Sequence, residues 1–150
     1  ITEGLFFPNG VRLSADESLL LVADTNTRTV WSWQIQPDGS VANGQPFYTL
    51  EIPEEPNRQH GLAALADGMT VDTEGFLYVA TAIGVQICDQ PGRVVAILRP
   101  PGTATLSNVT FGGPDRSVLY ATAGDKVWKR KLRRTGLMPG NPVKPPKPRL

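Results

Sequence analysis

One pattern recurs three times along this chain. Asn9-Gly10-Val11-Arg12-Leu13, Asp67-Gly68-Met69-Thr70-Val71 and Ser107-Asn108-Val109-Thr110-Phe111 each open a short strand-like run. Each is followed by a turn rich in Asp, Glu, Gly or Pro. An apolar run then follows: Leu19 to Ala23, Phe76 to Ala80, Val118 to Ala121. A repeat of about 40–50 residues made of short strands cannot bury its apolar face alone, but stacked copies can, which is the pattern of a β-propeller.

Strand alternation dominates between these landmarks. In the first repeat Gly10–Leu13 reads as an inner strand and Leu19–Ala23 as a buried central one. Thr29–Gln36 alternates Val30, Trp31, Trp33 and Ile35 with polar residues. Pro37-Asp38-Gly39-Ser40 is a hairpin turn, and Phe47–Leu50 is an outer strand, completing a four-stranded blade. The second repeat continues through 84–88 and 94–98. The third reaches 126–132, and its fourth strand is not evident. The expected fold is all-β, with about three propeller blades over residues 1–135 and an extended or disordered, Pro-rich basic tail over 136–150. A propeller closes with about four to eight blades, so three make a partial ring. The chain begins with Ile1, and it reads as the C-terminal part of a longer protein. The remaining blades are then upstream or supplied by a second chain. An open ring exposes strand edges and an apolar blade face.

Composition narrows the function classes. Apolar residues make up 40 % and charged residues 19 %, an ordinary soluble globular balance, and the net charge of +1 argues against nucleic acid or an anionic membrane as partner. No apolar stretch is long enough to span a bilayer. Soluble cytoplasmic, periplasmic and secreted locations all remain open. The basic residues from Lys126 to Arg149 read as a solvated terminal segment. Cys88, the sole cysteine, has no disulfide partner in the chain and reads as a small buried hydrophobe.

Equivalent positions in a propeller converge on its axis. Asn9 and Asp67 hold equivalent places in successive repeats, so an amide oxygen and a carboxylate meet there as half of a hard-cation site. Alone, Asn-Gly and Asp-Gly are common turn dipeptides. Ser107 is the third counterpart and a pocket candidate. Asn108, one residue further, is structural or faces the axial channel. The polar connector 51–66 leads straight into Asp67 and carries two more pocket candidates, Arg58 and His60. His60 has no Ser or Cys partner at a recognisable spacing, so no catalytic triad is expected. Asp24, Asp72 and Asp115 are assigned to turn hydrogen bonds, and Trp31, Trp33 and Trp128 to packing between blades.

Three stretches, in order, resemble the C-terminal half of the gluconolactonase / senescence marker protein (regucalcin) family. They are Pro8-Asn9-Gly10-Val11, the run from Asp67 to Gly75 and the run from Ser107 to Asp115. The resemblance extends to about Leu132. It implies a six-bladed propeller with one divalent metal ion on its axis, Ca²⁺ first, with Zn²⁺, Mg²⁺ or Mn²⁺ as alternatives. It also implies Asn9 and Asp67 as metal ligands and Asp67 as the catalytic general base. The family's third ligand, a Glu near its N-terminus, has no counterpart here, and Glu3 lies in the wrong place for it. The implied activity is metal-dependent hydrolysis of a sugar lactone by the intact protein, with this segment alone inactive. A non-catalytic metal-binding scaffold and a phosphotriesterase-like hydrolase are the alternative readings.

Overall fold

The computed structural model describes residues 3–55, 61–138 and 140. Eleven strands among them form three antiparallel sheets, taken in chain order. Blade 1 contains β1 (Pro8–Leu13), β2 (Leu19–Asp24), β3 (Thr29–Ile35) and β4 (Val41–Thr49). Blade 2 contains β5 (Met69–Val71), β6 (Leu77–Thr81), β7 (Gly84–Cys88) and β8 (Val94–Leu98). Blade 3 contains β9 (Leu106–Gly112), β10 (Val118–Ala123) and β11 (Lys126–Lys131). Every strand pairs with its chain neighbour, so each blade is a simple meander. The all-β partial propeller is thus the observed architecture. β4 starts six residues before the outer strand expected from the sequence. Pro46 hid that extension, and an edge strand tolerates proline because one side of it donates to no ladder.

β6 explains why the blades stack. All five of its residues are buried. Leu77 and Val79 face blade 1, where they join Leu21, Ala23, Val30, Leu50 and Met69 in one cluster. Tyr78 and Ala80 face blade 3 and join Val85, Val109, Phe111 and Leu119 in a second. Tyr78 and Phe111 meet edge to face, with ring centroids 4.9 Å apart. A continuous apolar run is what a strand with two buried faces requires. Cys88 is fully buried in the first cluster, and burial pushes its thiol pKa up to about 12, with Asp89 adding to the shift.

The turns that close the inner hairpins share one device. Asp16, Asp72 and Asp115 each accept a backbone N–H two residues ahead, at 3.1 Å from Ser18, 2.9 Å from Glu74 and 3.2 Å from Ser117. This is the Asx-turn chemistry that makes aspartate a turn residue. Asp72 is fully buried, and desolvation raises its pKa despite the N–H groups of Phe76 and Glu74, the Arg134 charge and the Tyr78 hydroxyl. Arg134 also pairs with Glu74 at 2.7 Å and stacks 3.9 Å above the Phe76 ring. Beyond it the chain runs back across the inner strands. Thr135 accepts from Thr73, Gly136 bridges Asp72, and Leu137 donates to Val71 and packs on the first cluster.

At the other end of the inner strands the blades approach through glycine. A Cβ on Gly10 would lie 2.0 Å from the Asp67 carbonyl oxygen, and one on Gly68 would lie 2.0 Å from Asn108 Oδ1. The two glycines are therefore there for close approach, not for a turn. The aromatic expectation holds for Trp128, which packs against the second cluster. Trp31 and Trp33 instead stack on each other at 6.0 Å. Through their partners Val22 and Leu20 they share the face of blade 1 that also carries Val11 and Leu13. That face points away from blade 2, and Val11 is 61 % exposed.

Leu77→Ala should cost about 2–5 kcal/mol, because it opens a cavity between two blades. Val127→Ala, on an exposed face, should change stability by no more than about 0.5 kcal/mol. Gly10→Ala should cost about 1–3 kcal/mol by forcing the first two inner strands apart. Urea titrations followed by far-UV circular dichroism measure all three.

Candidate axial metal and hydrolase site

The sequence reading missed how the polar residues reach the axis. Each inner strand carries a β-bulge at its start. In blade 1, Pro8 pairs with Asp24 and Val11 with Val22, so β1 has one residue more than its partner. In blade 3, Leu106 pairs with Ala123 and Asn108 with Thr122, which leaves Ser107 extra. In blade 2, Ala80 accepts from Asp67 N and donates to Gly68 O, so two residues again oppose one. A bulge interrupts the ladder and re-aims the side chain it carries. Asn9, Asp67 and Ser107 occupy the same position in three successive blades.

The bulges bring Asn9 and Asp67 into contact. The Asn9 side-chain amide lies close enough to favour the charged Asp67 carboxylate. Partial burial raises the Asp67 pKa above the ordinary aspartate value, and the Gly68 backbone and the Asn9 amide offset part of the shift. Asn9 is exposed and Asp67 half-buried, so the pair opens to solvent. The Gly68 N–H donates to the Ser107 carbonyl at 3.0 Å, which places Ser107 beside Asp67 in the next blade. The Ser107 and Thr122 hydroxyls are 2.8 Å apart. Asn108 turns its Oδ1 back onto the Val109 N–H at 2.8 Å and lies against Gly68. Arg58 and His60 lie outside the described residues.

Asp24 is the residue whose role was legible in the sequence only in part. Its carbonyl does open a turn, accepting the Thr27 N–H at 3.1 Å, but its carboxylate does something else. It is 2 % exposed, and its carboxylate accepts the Phe6 and Phe7 N–H groups at 3.1 and 2.9 Å. Thr25 N donates to Phe7 O at 3.0 Å, and Thr25 Oγ1 donates to Ala66 O at 2.7 Å. One dipeptide at the end of β2 thus holds the segments that lead into Asn9 and Asp67. The end of the connector before Asp67 is equally well held: Ala63, Ala64 and Ala66 are buried, and Leu65 has φ +52. A branched residue in the left-handed region needs a surrounding structure that imposes it. Here the buried alanines on either side impose it, and Asp67 follows two residues later.

The donor chemistry suits a hard cation. An amide oxygen and a carboxylate are the oxygen ligands that Ca²⁺ and Mg²⁺ take. Cys88, the sole cysteine, is buried in the core. Among the described residues no three of His, Cys, Asp and Glu gather as a complete cation cluster. The fit is therefore to half a site, two adjacent oxygen donors on neighbouring strands.

Comparison with known proteins bears on this arrangement. Residues 1–125 match the family model described as the SMP-30/Gluconolactonase/LRE-like region. The chain is 32 % identical over 125 residues to the pentonolactonase XacC of Haloferax volcanii, covering 81 % of this chain and 40 % of that protein. It is 29 % identical over 138 residues to a gluconolactonase of Zymomonas mobilis, covering 91 % and 38 %. A solved structure of a gluconolactonase from Xanthomonas campestris superposes with a TM-score of 0.69 at 26 % identity, over 90 % of this chain and 39 % of that one. The chain thus spans about two fifths of the length of these relatives. With the family model matched over most of its length, the chain belongs to the SMP-30/gluconolactonase/LRE-like family.

Proposed function

We propose that the intact protein hydrolyses a sugar lactone at the mouth of the propeller axis where Asn9 and Asp67 meet. The observation that carries this reading is the matching bulges in adjacent blades, which set the Asn9 amide beside the Asp67 carboxylate. Lactonases among the relatives support the substrate class. Asn9 and Asp67 would hold the divalent cation, Ca²⁺ first by their oxygen chemistry. When bound, such a cation supplies Lewis-acid polarisation of the lactone carbonyl.

The chain's own residues account for the proton. The Gly68 backbone and the Asn9 amide favour the charged form of the Asp67 carboxylate, which is half-buried. A carboxylate of raised pKa is a better base than an ordinary aspartate. Asp67 takes a proton from water as the water oxygen bonds to the lactone carbonyl carbon. The ring C–O bond then breaks, and the leaving alkoxide recovers the proton, giving the hydroxy acid. Ser107 and Asn108, at the start of the next inner strand, line the side of the pocket where sugar hydroxyls are recognised.

The ring around this site needs more blades. The exposed apolar face of blade 1, with Val11 and Leu13, supports a neighbouring blade from upstream sequence or from a second chain. The 150-residue chain alone is accordingly inactive.

In the closed-ring protein, Asp67→Ala should lower kcat/KM about 10²–10⁴-fold, the usual worth of a positioned base. Asp67→Asn should lose turnover while calorimetry still detects cation binding. Lactone hydrolysis is followed by pH indicator, with chelator and metal add-back. Undiminished rates in Asp67→Ala, or in chelator, would refute the mechanism.

The raised Asp67 pKa also predicts a stability effect. The folded state binds this proton more readily than the unfolded state, so the contribution is complete below the ordinary aspartate pKa of 3.8 and is lost as pH rises through the raised folded value. Asp67→Asn removes that charge penalty. Without added metal its melting temperature should exceed that of the unmodified chain at pH 7, and the difference should shrink as the pH approaches 3. Thermal melts across that range test the sign.

A further inference from the structure

A cavity of 230 Å³ lies between β8 of blade 2 and β11 of blade 3. Leu98 closes it from blade 2, and Leu106, Leu119 and Trp128 wall it from blade 3. Cross-strand pairing builds that wall. Leu119 pairs with Arg130 and Ala121 with Trp128, and residues paired across an antiparallel ladder share a face. Leu119 and Ala121 belong to the cluster between the two blades, so this face looks at blade 2. Trp128 is only half-buried there. Concave apolar surface that the fold leaves open is the material of a ligand pocket.

The charge around this pocket has one sign. Arg130 continues the Trp128 face two residues further along β11, and Arg99 directly follows Leu98, the last residue of β8. Both arginines line the cavity and are exposed, and no acidic residue lines it among the described residues. The ion pairs of the described residues are Arg93 with Asp89, Lys131 with Asp115, and Arg134 with Asp72 and Glu74. Neither Arg99 nor Arg130 therefore has a carboxylate of its own. The potential at the cavity is positive, and its walls are apolar.

We propose that this cavity binds a small amphiphilic anion, a single carboxylate on an apolar body. The body fills the space between Leu98, Leu106, Leu119 and Trp128, and the carboxylate meets the Arg99 and Arg130 guanidinium groups, which match it in charge and planar geometry. Size follows from packing. At the density of about 0.74 found in protein interiors, the cavity holds about 170 Å³ of ligand, the bulk of an acid of about eight to ten carbons. Other occupants fit less well. A sugar or its lactone would press hydroxyls without partners against four apolar side chains. An apolar cation would be repelled by both arginines. A further strand beside β11 would lie within the sheet, about 4.8 Å away, and would extend this wall rather than fill the space in front of it. The proposal does not rest on the axial chemistry, since Asn9, Asp67 and Ser107 do not line the cavity.

The probe is octanoate, titrated below its micelle concentration into the 150-residue chain while amide NMR shifts are followed residue by residue. Saturation should move the Leu106, Ala121 and Trp128 amides and the Trp128 indole N–H, and should leave the Trp31 and Trp33 indoles in place. Octylammonium has the same body with the opposite charge and should bind at least about tenfold more weakly. Acetate has the charge without the body and should not saturate the site. The combined change Arg99→Glu and Arg130→Glu, at two exposed positions, should reverse the preference between octanoate and octylammonium with an unchanged circular dichroism spectrum. Equal binding of the two amphiphiles, octanoate shifts that spare Ala121 and Trp128, undiminished octanoate affinity in the double variant, or no saturable octanoate binding would each overturn the proposal.

Discussion

The inner strands of this protein meet at distances that only glycine permits. Gly10 lies against the Asp67 backbone, and Gly68 lies against Asn108. Because the strands converge there, the residue before each glycine cannot stay in the pleat of its sheet. It is displaced into a bulge and pointed at the axis. In blades 1 and 2 the close approach of the strands and the presentation of a polar side chain thus coincide. That coincidence also explains why the polar residue and the glycine come as a pair in the first two repeats. In the third repeat Asn108 takes the glycine's place near the start of β9, and it faces no further blade among the described residues, so glycine is not required.

Convergence has an electrostatic consequence. Asp67 is drawn into partial burial, where its charge is less well solvated, and the Asn9 amide answers only part of that cost. The structure holds this mildly unfavourable arrangement from behind. Asp24 ties the Phe6–Phe7 backbone, Thr25 ties Phe7 and Ala66, and the buried alanines before Asp67 hold Leu65 at positive φ. These groups touch no reacting atom. They keep two side chains on separate blades within hydrogen-bond reach, which is the requirement of any site assembled across a seam.

The outer surfaces of the partial ring differ from each other. Blade 1 exposes Val11 and Leu13 on the face that they share with the Trp31–Trp33 pair. Blade 3 presents Thr110, Tyr120, Thr122 and a strand rich in lysine. An apolar face and a basic edge call for different neighbours. That difference in chemistry is visible only once cross-strand pairing shows which residues share a face.

The repeat, the turn residues and the strand runs were legible in the sequence because each rests on local chemistry. Side-chain alternation, Asx turns and continuous apolar strands leave marks within a few residues. The equivalence of Asn9, Asp67 and Ser107 was legible too, since repetition itself encodes it. The bulges were not, because a bulge is defined by the partner strand and leaves no mark on its own. Nor was the role of the Asp24 carboxylate, because Asp24 follows an apolar strand just as a turn residue would and is distinguished only by the backbone that folds back onto it. The sequence by itself determined an all-β repeat with paired polar residues at the strand starts. Tertiary structure alone decided that Asn9 and Asp67 touch, because their contact depends on the crossing distance of two strands nearly sixty residues apart, a distance set by packing around β6 rather than by any local preference.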